Sequence, residues 1–235
     1  MHATYYETVH ARSSQIGAHR HHEPYVAFVV DGAYVECSAD GAYPCERGCL
    51  VVHPPLHLHA NRFSSRRARV ANLIAGSTAL DEISAGAGVY QVHGLSVTAA
   101  WRAFRDGHWL DLLREAQPVS ALPAPVAVAS VAAALVERQD LAITRLAGRT
   151  GKTREHVSRQ FRRFYGMSPS AFRAERRLRV ALSLLGDPSL SVSAVAHRAG
   201  YADHAHLTRS VKEATGQPPQ VWRRTMQRRG NEGSH

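Results

Sequence analysis

The sequence predicts a two-domain chain, with an all-β N-terminal domain and an all-α C-terminal domain. Three observations support this: short strand-like runs in the first 95 residues, a helical unit that occurs twice after residue 143, and an uneven distribution of charge. Residues 1–123 carry a net charge of −1, whereas residues 124–235 carry +11. A basic half joined to a near-neutral half indicates a polyanionic partner for one domain only.

The predicted strands of the first half are short and end at turn residues. We expect strands at residues 25–30, 33–38, 49–53, 69–75 and 89–92. Asp-Gly pairs that begin at Asp31 and Asp40 predict a hairpin and a second turn, and the double proline at Pro54 ends a strand. Many short strands with this punctuation are typical of a small barrel or jelly roll.

Histidines are concentrated around these strands. His19 and His21 precede the first long strand, and His53, His57 and His59 surround the double proline. Neutral imidazoles bind zinc, nickel, copper or iron(II). The same side chains could instead hydrogen-bond an organic effector or simply pack in the core. The residues alone leave these alternatives open.

The segment between the two halves contains a predicted helix and a linker. Residues 95–116 read as helical, with Trp101, Phe104, Trp109, Leu112 and Leu113 as apolar surface that either covers the barrel or contacts another chain. The proline-rich stretch 118–125 is predicted to be a stiff linker, and residues 126–138 a helix. Cys37, Cys45 and Cys49 lack a metal or disulfide spacing, so we expect buried free thiols.

Residues 143–173 and 192–223 contain the same unit twice, at an offset of 49 and then 50 positions. The matched residues include Ala147 with Ala196, Gly151 with Gly200, His156 with His206, Arg159 with Arg209, Gly166 with Gly216, Pro169 with Pro219 and Arg173 with Arg223. Each copy reads as a helix, a glycine turn and a second helix, which is a helix-turn-helix. An ordinary helical hairpin is the alternative, but it does not require a repeated exposed arginine.

Local signals define the second helix of each copy. Thr153 and Asp203 are the expected N-caps, and Gly166 ends the helix of the first copy. The predicted buried faces consist of Val157, Phe161 and Phe164 in the first copy and Leu207 and Val211 in the second. Polar and basic residues occupy the opposite faces.

These residues resemble the tandem helix-turn-helix domain of AraC/XylS-type transcription regulators, over about residues 124–226. The similarity lies in LAGRTGKTREHVSRQF followed by G-x-S-P, and in AGY followed by G-x-x-P-x-x-W-R; Val211 stands where the family usually has Phe. The resemblance implies a connecting helix at residues 170–185. It also implies that both second helices enter successive major grooves.

The resemblance implies base contacts from one face of each second helix. The positions are Glu155, Ser158 and Arg159 in the first copy and His204, Ala205, His206, Thr208 and Arg209 in the second. Arg154, Arg162 and Lys212 lie on the same predicted faces and complete the expected DNA-binding set.

The N-terminal half is similar to the two cupin motifs, in H-R-H through Gly32 and in GCLVVHPPLHLHAN. A cupin-like domain is the usual effector domain of this family, so we expect an effector site. Its predicted residues are His19, His21, Tyr25, His57 and His59. Metal-bearing cupins imply a divalent transition metal on His19, His21 and His59. The family's glutamate position falls on Tyr25, and Glu23 could replace it if residues 19, 21 and 23 share a strand face.

Together these predictions describe a transcription regulator without enzymatic activity. The expected parts are a cupin-like sensor domain (residues 1–95), a helical dimerisation and linker region (96–123), a DNA-binding domain (124–226) and a disordered tail (227–235). The expected partners are double-stranded promoter DNA, a small-molecule or metal effector, a second copy in a homodimer, and RNA polymerase. The N-terminus lacks a signal-peptide pattern, which predicts a cytoplasmic location. A cupin-type metal enzyme with a helical appendage and a DNA-architectural protein without a ligand are the alternatives.

Overall fold

A computed structural model of the chain describes residues 4–74, 87–137 and 141–232, with side chains as far as residue 228. The described residues divide into two compact units, one within Met1–Val126 and Arg159–Met167 and the other within Ala127–Ser158 and Ser168–His235. The first is mostly β-sheet and the second is helical, as the sequence predicts. None of the helices in the described part is long and apolar enough to span a bilayer.

The N-terminal half forms two antiparallel sheets. The described strands are β1 (Thr4–His10), β2 (Gln15–His19), β3 (Tyr25–Asp31), β4 (Tyr34–Ser38), β5 (Gly41–Cys45), β6 (Cys49–His53), β7 (His59–Phe63), β8 (Ala68–Ile74), β9 (Gly88–Gln91) and β10 (Gln117–Pro118). One sheet has the order β1-β8-β3-β6-β9-β10, and the other has the order β2-β7-β4-β5. The five predicted strands are confirmed to within two residues, while β1, β2, β5, β7 and the short β10 are additional.

The two sheets share one apolar core. Val29 and Val51 of the six-stranded sheet belong to the same buried cluster as Tyr34 and Phe63 of the four-stranded sheet. Such a pair of packed antiparallel sheets is the architecture that the strand pattern predicts.

One of the two predicted Asp-Gly turns is a hairpin and the other is not. Asp40 lies in the tight turn between β4 and β5, where Ser38 pairs with Gly41. The hairpin predicted at Asp31 is wrong, because β3 and β4 lie in different sheets. Gly32 has φ of 75°, and a Cβ atom there would lie 2.3 Å from the carbonyl oxygen of Arg67. Glycine is therefore needed at position 32, because the chain passes close to the backbone of Arg67 where it leaves one sheet for the other.

The helix predicted at residues 95–116 is two helices, α1 (Val97–Arg105) and α2 (Trp109–Glu115), separated at Gly107 with φ of 92°. Phe104, Trp109 and Leu112 are buried in a core cluster with strand residues such as Phe28, and Trp101 and Leu113 pack against that cluster. The buried part of the aromatic surface therefore covers the sheets, while Trp101 and Leu113 stay partly exposed.

The C-terminal half contains seven described helices. They are α3 (Val126–Glu137), α4 (Ile143–Arg149), α5 (Arg154–Tyr165), α6 (Pro169–Leu185), α7 (Val192–Arg198), α8 (His204–Thr215) and α9 (Pro219–Glu232). Helix α6 is the predicted connecting helix, and Ser168 caps it by accepting from the N–H of Ala171. Residues 227–232, which the sequence predicts to be part of a disordered tail, continue α9.

The second helix-turn-helix copy has its own apolar core. Leu178, Ala181 and Leu185 of α6 pack with residues of α7 and α8, including the fully buried Leu207 and Val211. Val211 thus fills a core position, as expected where the family usually has a larger side chain. Leu182 of α6 packs against the same core from a partly buried position.

Candidate nucleic-acid interface and histidine pocket

The two copies contain the same type of turn. We call α4 with α5 the first module and α7 with α8 the second. Gly151 and Gly200 adopt left-handed φ angles of 67° and 77°. The N–H of Lys152 donates to the carbonyl oxygen of Ala147 at 3.3 Å, and the N–H of Tyr201 donates to that of Ala196 at 2.9 Å. The predicted helix-turn-helix geometry is therefore present in both modules.

The second helix of each module begins at the predicted cap. The N–H of His156 donates to Oγ1 of Thr153 at 3.2 Å, and the N–H of His206 donates to Oδ1 of Asp203 at 2.6 Å. Each cap satisfies one backbone donor that the first turn of a helix leaves without an intrahelical partner.

A second repeated arginine has a structural role that the sequence did not reveal. Nη1 of Arg173 donates to the carbonyl oxygen of Leu141 at 3.0 Å. Its counterpart Arg223 donates from Nη2 to Leu190 at 2.7 Å and from Nε to Leu185 at 3.0 Å. Leu141 and Leu190 each stand two residues before the first helix of a module, so these arginines fix equivalent chain segments.

The predicted DNA-contact residues form equivalent faces on α5 and α8. Positions i, i+1, i+4, i+5 and i+8 follow one side of a helix. The exposed members are Arg154, Glu155, Arg159 and Arg162 on α5 and His204, Ala205, Arg209 and Lys212 on α8. Each module thus presents a basic, solvent-exposed face suited to contact with a polyanion.

Three predicted contact residues are only partly exposed. Ser158 and Thr208, which occupy equivalent positions, are half-buried, and His206 packs edge-on against Tyr201 with ring centroids 5.0 Å apart. Phe164, predicted to be fully buried, is also half-buried, and Tyr165 is buried instead. The freely exposed part of each face is therefore smaller than the sequence predicts.

The β-sheet half brings the predicted metal ligands together. His19 of β2 pairs with His59 of β7, and the two rings lie 4.3 Å apart. His21 is 5.0 Å from His19 by ring centroids, and the ligand nitrogens of these three histidines all lie within 4.8 Å of one another. The predicted clustering of His19, His21 and His59 is therefore present.

Tyr25, which stands where the family has a glutamate, makes a hydrogen bond with His59. The Nδ1 atom of His59 lies 3.1 Å from the carbonyl oxygen of His57, which can only accept, so Nδ1 carries the hydrogen. Nε2 of His59 is then an acceptor, and the hydroxyl of Tyr25 donates to it at 3.0 Å. Burial raises the pKa of Tyr25 well above its usual value, which keeps that hydroxyl protonated.

Glu23 does not replace the missing carboxylate. Strand β2 ends at His19, so residues 19, 21 and 23 do not share the strand face on which that expectation depends. Glu23 is exposed and is absent from both candidate ligand groups found among the described residues.

A second histidine group shares His59 with the first. His53, His57 and His59 are all buried, and their ligand nitrogens also lie within 4.8 Å of one another. The Oε1 atom of the buried Glu36 lies 3.8 Å from Nδ1 of His53. The sequence showed His53 near the double proline, but it gave no indication that Glu36 of β4 faces it.

The rings of His53 and His59 are neutral at neutral pH. Burial, reinforced by the neighbouring His19, lowers the pKa of His59 to about 3. Burial and the adjacent histidines also hold the pKa of His53 well below its usual range. Neutral imidazole is the form that binds a metal ion or accepts a hydrogen bond.

Two cavities adjoin these histidines. The larger, of about 130 Å³, is lined by the predicted residues His19, His21 and Tyr25 together with residues such as Asn61 and Asn72. The smaller, of about 10 Å³, is lined by Glu36, His53 and His57. His57 therefore lines the smaller cavity, whereas the sequence places it with the effector residues.

The three cysteines are buried and free, as expected. Burial raises the pKa of each thiol, to about 11 for Cys37. These thiols therefore stay protonated at neutral pH and are structural residues of the β-sheet half.

Comparison with known proteins finds a family and a relative that are similar to the helical half. Residues 146–225 match the family described as "Helix-turn-helix domain". The HTH-type transcriptional regulator RipA of Corynebacterium glutamicum is 34% identical over 113 residues, which are 47% of this chain and 34% of that protein. The chain thus matches only about a third of the length of this curated relative.

Solved structures give weaker similarity. ToxT of Vibrio cholerae O395 has a TM-score of 0.43 at 7% identity, over 95% of this chain and 98% of ToxT. A probable AraC family transcriptional regulator of Rhodopseudomonas palustris has a TM-score of 0.38 at 26% identity, over 43% of this chain and 98% of that one.

The repeated geometry and the family match together define the class of the C-terminal half. It is a DNA-binding domain made of two helix-turn-helix modules. More particularly, the matched segment is similar to RipA, an HTH-type transcriptional regulator, and its repeated motifs resemble the AraC/XylS type.

Proposed function

We propose that this protein is a sequence-specific DNA-binding transcription regulator whose β-sheet half senses an effector. The observation that carries the proposal is the equivalence of the exposed faces of α5 and α8, each on a module with the same turn, cap and supporting arginine. Arg159 and Arg209 occupy equivalent exposed positions on these faces. Arginine can bind O6 and N7 of guanine with two hydrogen bonds, which suits it to base reading in the major groove.

Charge supports DNA as the partner. The +11 net charge of residues 124–235 lies in the half that contains both modules. Arg154, Arg162 and Lys212 add positive charge beside the base-reading positions, where phosphate contact would hold the helices in register. Glu155, His204, Ala205 and the half-buried Ser158, His206 and Thr208 complete the proposed contact set.

For the sensor, we propose that an organic effector occupies the 130 Å³ cavity. Its wall offers hydrogen-bonding groups from His19, His21, Tyr25 and Asn72 beside apolar surface, a mixture typical of small-molecule sites. His59 supports this wall through its bond with Tyr25. That bond uses the free lone pair of His59, so a metal ion in either histidine group could bind His59 only by displacing the hydroxyl of Tyr25.

The family resemblance suggests three further partners. We propose that the regulator acts as a homodimer on promoter DNA and contacts RNA polymerase. Phe104, Trp109 and Leu112 are buried in the core, so a dimer interface on α1 and α2 would have to use their partly exposed residues. The alternative of a cupin-type enzyme gains no support from the matched family or from RipA, a transcriptional regulator.

Selection of duplex DNA by the purified full chain tests the proposed function. A random-sequence library should yield an enriched motif in two parts about one helical turn apart, roughly 34 Å, because two modules read successive major grooves. Enrichment should persist with a large excess of unrelated duplex. Retention of all sequences equally would contradict sequence-specific binding. Mass spectrometry of small molecules that co-purify with the same chain tests whether an organic effector is bound.

A further inference from the structure

The smaller cavity of the β-sheet half has features that the proposed regulator does not explain. Three buried polar side chains face it, yet within the described part of the chain Oε1 of Glu36, Nδ1 of His53 and Nδ1 of His57 make no hydrogen bond, while Nε2 of His57 faces Oδ2 of Asp40 at 3.5 Å. A buried polar atom without a partner costs about 1–3 kcal/mol. Several such atoms around one space indicate that something absent from the protein chain satisfies them.

The size of this cavity fits an ion. Its volume of about 10 Å³ is close to the minimum for one water molecule, and it excludes an organic effector. The oxygen and nitrogen that face each other, Oε1 of Glu36 and Nδ1 of His53, are 3.8 Å apart. Two ligands of a tetrahedral zinc ion lie about 3.3 Å apart, so a small shift would bring both within bonding distance.

Neighbouring groups hold the two ligands in this orientation. Nδ2 of Asn61 donates to Oε2 of Glu36 at 2.6 Å and leaves Oε1 directed towards His53. The ring of Tyr25 stacks on His53 with centroids 4.2 Å apart. Supporting contacts of this kind orient first-shell ligands in established metal sites.

We propose that His53, His57 and His59, whose ligand nitrogens lie within 4.8 Å of one another, bind a divalent transition-metal ion, and that a small shift of Glu36 towards His53 supplies the fourth ligand. Two or three imidazoles with one carboxylate are a donor set that zinc and similar first-row ions prefer. This inner site differs from the predicted set of His19, His21 and His59, with which it shares only His59. Because Nε2 of His59 has one lone pair, it can serve one of the two sets at a time.

Metal binding to the full chain tests this inference without DNA, so its outcome is independent of the proposed function. The chain is stripped with a chelator and titrated with Zn²⁺ by calorimetry and with Co²⁺ by visible absorption. We expect one equivalent to bind. Glu36→Gln and His53→Ala should each weaken binding by at least about tenfold, because each removes a ligand. The Co²⁺ spectrum should change in Glu36→Gln.

His21→Ala is the matched control, because His21 belongs only to the outer group. It should leave the affinity within about twofold of the wild type. His59→Ala does not distinguish the inner site from the outer set, since both contain His59. If His53→Ala does not fold, Glu36→Gln decides, as it preserves size and shape. The inference is overturned if the wild-type chain binds no metal, or if His21→Ala abolishes binding while Glu36→Gln retains it.

Discussion

The hydroxyl of Tyr25 donates to Nε2 of His59 at 3.0 Å, and this hydrogen bond joins the wall of the larger cavity to the buried histidine group. Coordination of a metal by His59 would have to break it. The bond therefore links the two cavities: whatever occupies the inner site also changes which hydrogen-bonding groups Tyr25 presents to an effector.

Removal of the Tyr25 hydroxyl should strengthen metal binding. In Tyr25→Phe the lone pair of His59 no longer accepts a competing hydrogen bond, whose net worth is about 0.5–1.5 kcal/mol. We expect the dissociation constant for Zn²⁺ to fall by about two- to tenfold in calorimetry. Tyr34→Phe is the control, because Tyr34 lines the same cavity and, in the described part of the chain, does not hydrogen-bond His59. Weaker binding in Tyr25→Phe would instead make that hydroxyl a ligand.

The cysteine thiols should be unreactive in the folded chain. Burial raises the pKa of Cys37 from 9.0 to about 11, so the reactive thiolate is scarce below that pH. We expect slow alkylation by iodoacetamide at pH 8 and fast alkylation in urea. Because the folded-state pKa is raised, the thiol favours folding below pH 9 and this contribution is lost as pH rises towards 11. Fast labelling of the native chain at pH 8 would contradict the burial of these thiols.

The helical modules could be predicted closely because their signals are local. Glycine at a left-handed turn, Thr or Asp at an N-cap, and apolar residues three and four apart each act within one or two helical turns. Gly151, Thr153 and Asp203 all have the predicted role. The supporting role of Arg173 was missed, because its partner Leu141 lies 32 residues away and offers only a backbone oxygen.

The histidine pocket could be predicted only in part, because it depends on pairing between distant strands. Glu36 lies on β4 of one sheet and His53 on β6 of the other, and no local pattern shows that these strands face each other. The mistaken hairpin at Asp31 arose from the same limitation. The Glu23 expectation failed because it assumed that β2 continues past His19.

The role of Arg223 predicts a stability effect that a surface arginine lacks. Arg223→Lys keeps the charge but cannot donate to both Leu185 and Leu190 in the same fork geometry. We expect the free energy of unfolding to fall by about 1–3 kcal/mol, measured by urea denaturation. Arg224→Lys, at the exposed neighbouring position, should change it by no more than about 0.5 kcal/mol. Equal effects of the two substitutions would remove the structural role assigned to Arg223.

The charge of the helical half predicts a steep salt dependence. Each phosphate neutralised by Lys or Arg should contribute about −0.9 to the slope of log affinity against log salt concentration. We expect Arg162→Ala and Lys212→Ala each to reduce the slope by about one phosphate equivalent, with similar losses on selected and unrelated duplex. Fluorescence anisotropy of labelled duplex across a salt series gives the slope. Affinity that does not change with salt would contradict phosphate contact.

The central claim is that α5 and α8 read bases through equivalent arginines. The most direct test repeats the duplex selection with Arg159→Ala and Arg209→Ala, and with Arg66→Ala as an exposed control in the β-sheet half. Each module variant should lose about 1–3 kcal/mol on the selected site and relax sequence preference in one part of the motif, the two parts lying about one helical turn apart. The control should keep the wild-type motif. If either module variant weakens all sequences equally and keeps the full motif, that arginine contacts phosphate and the assignment of base reading is wrong.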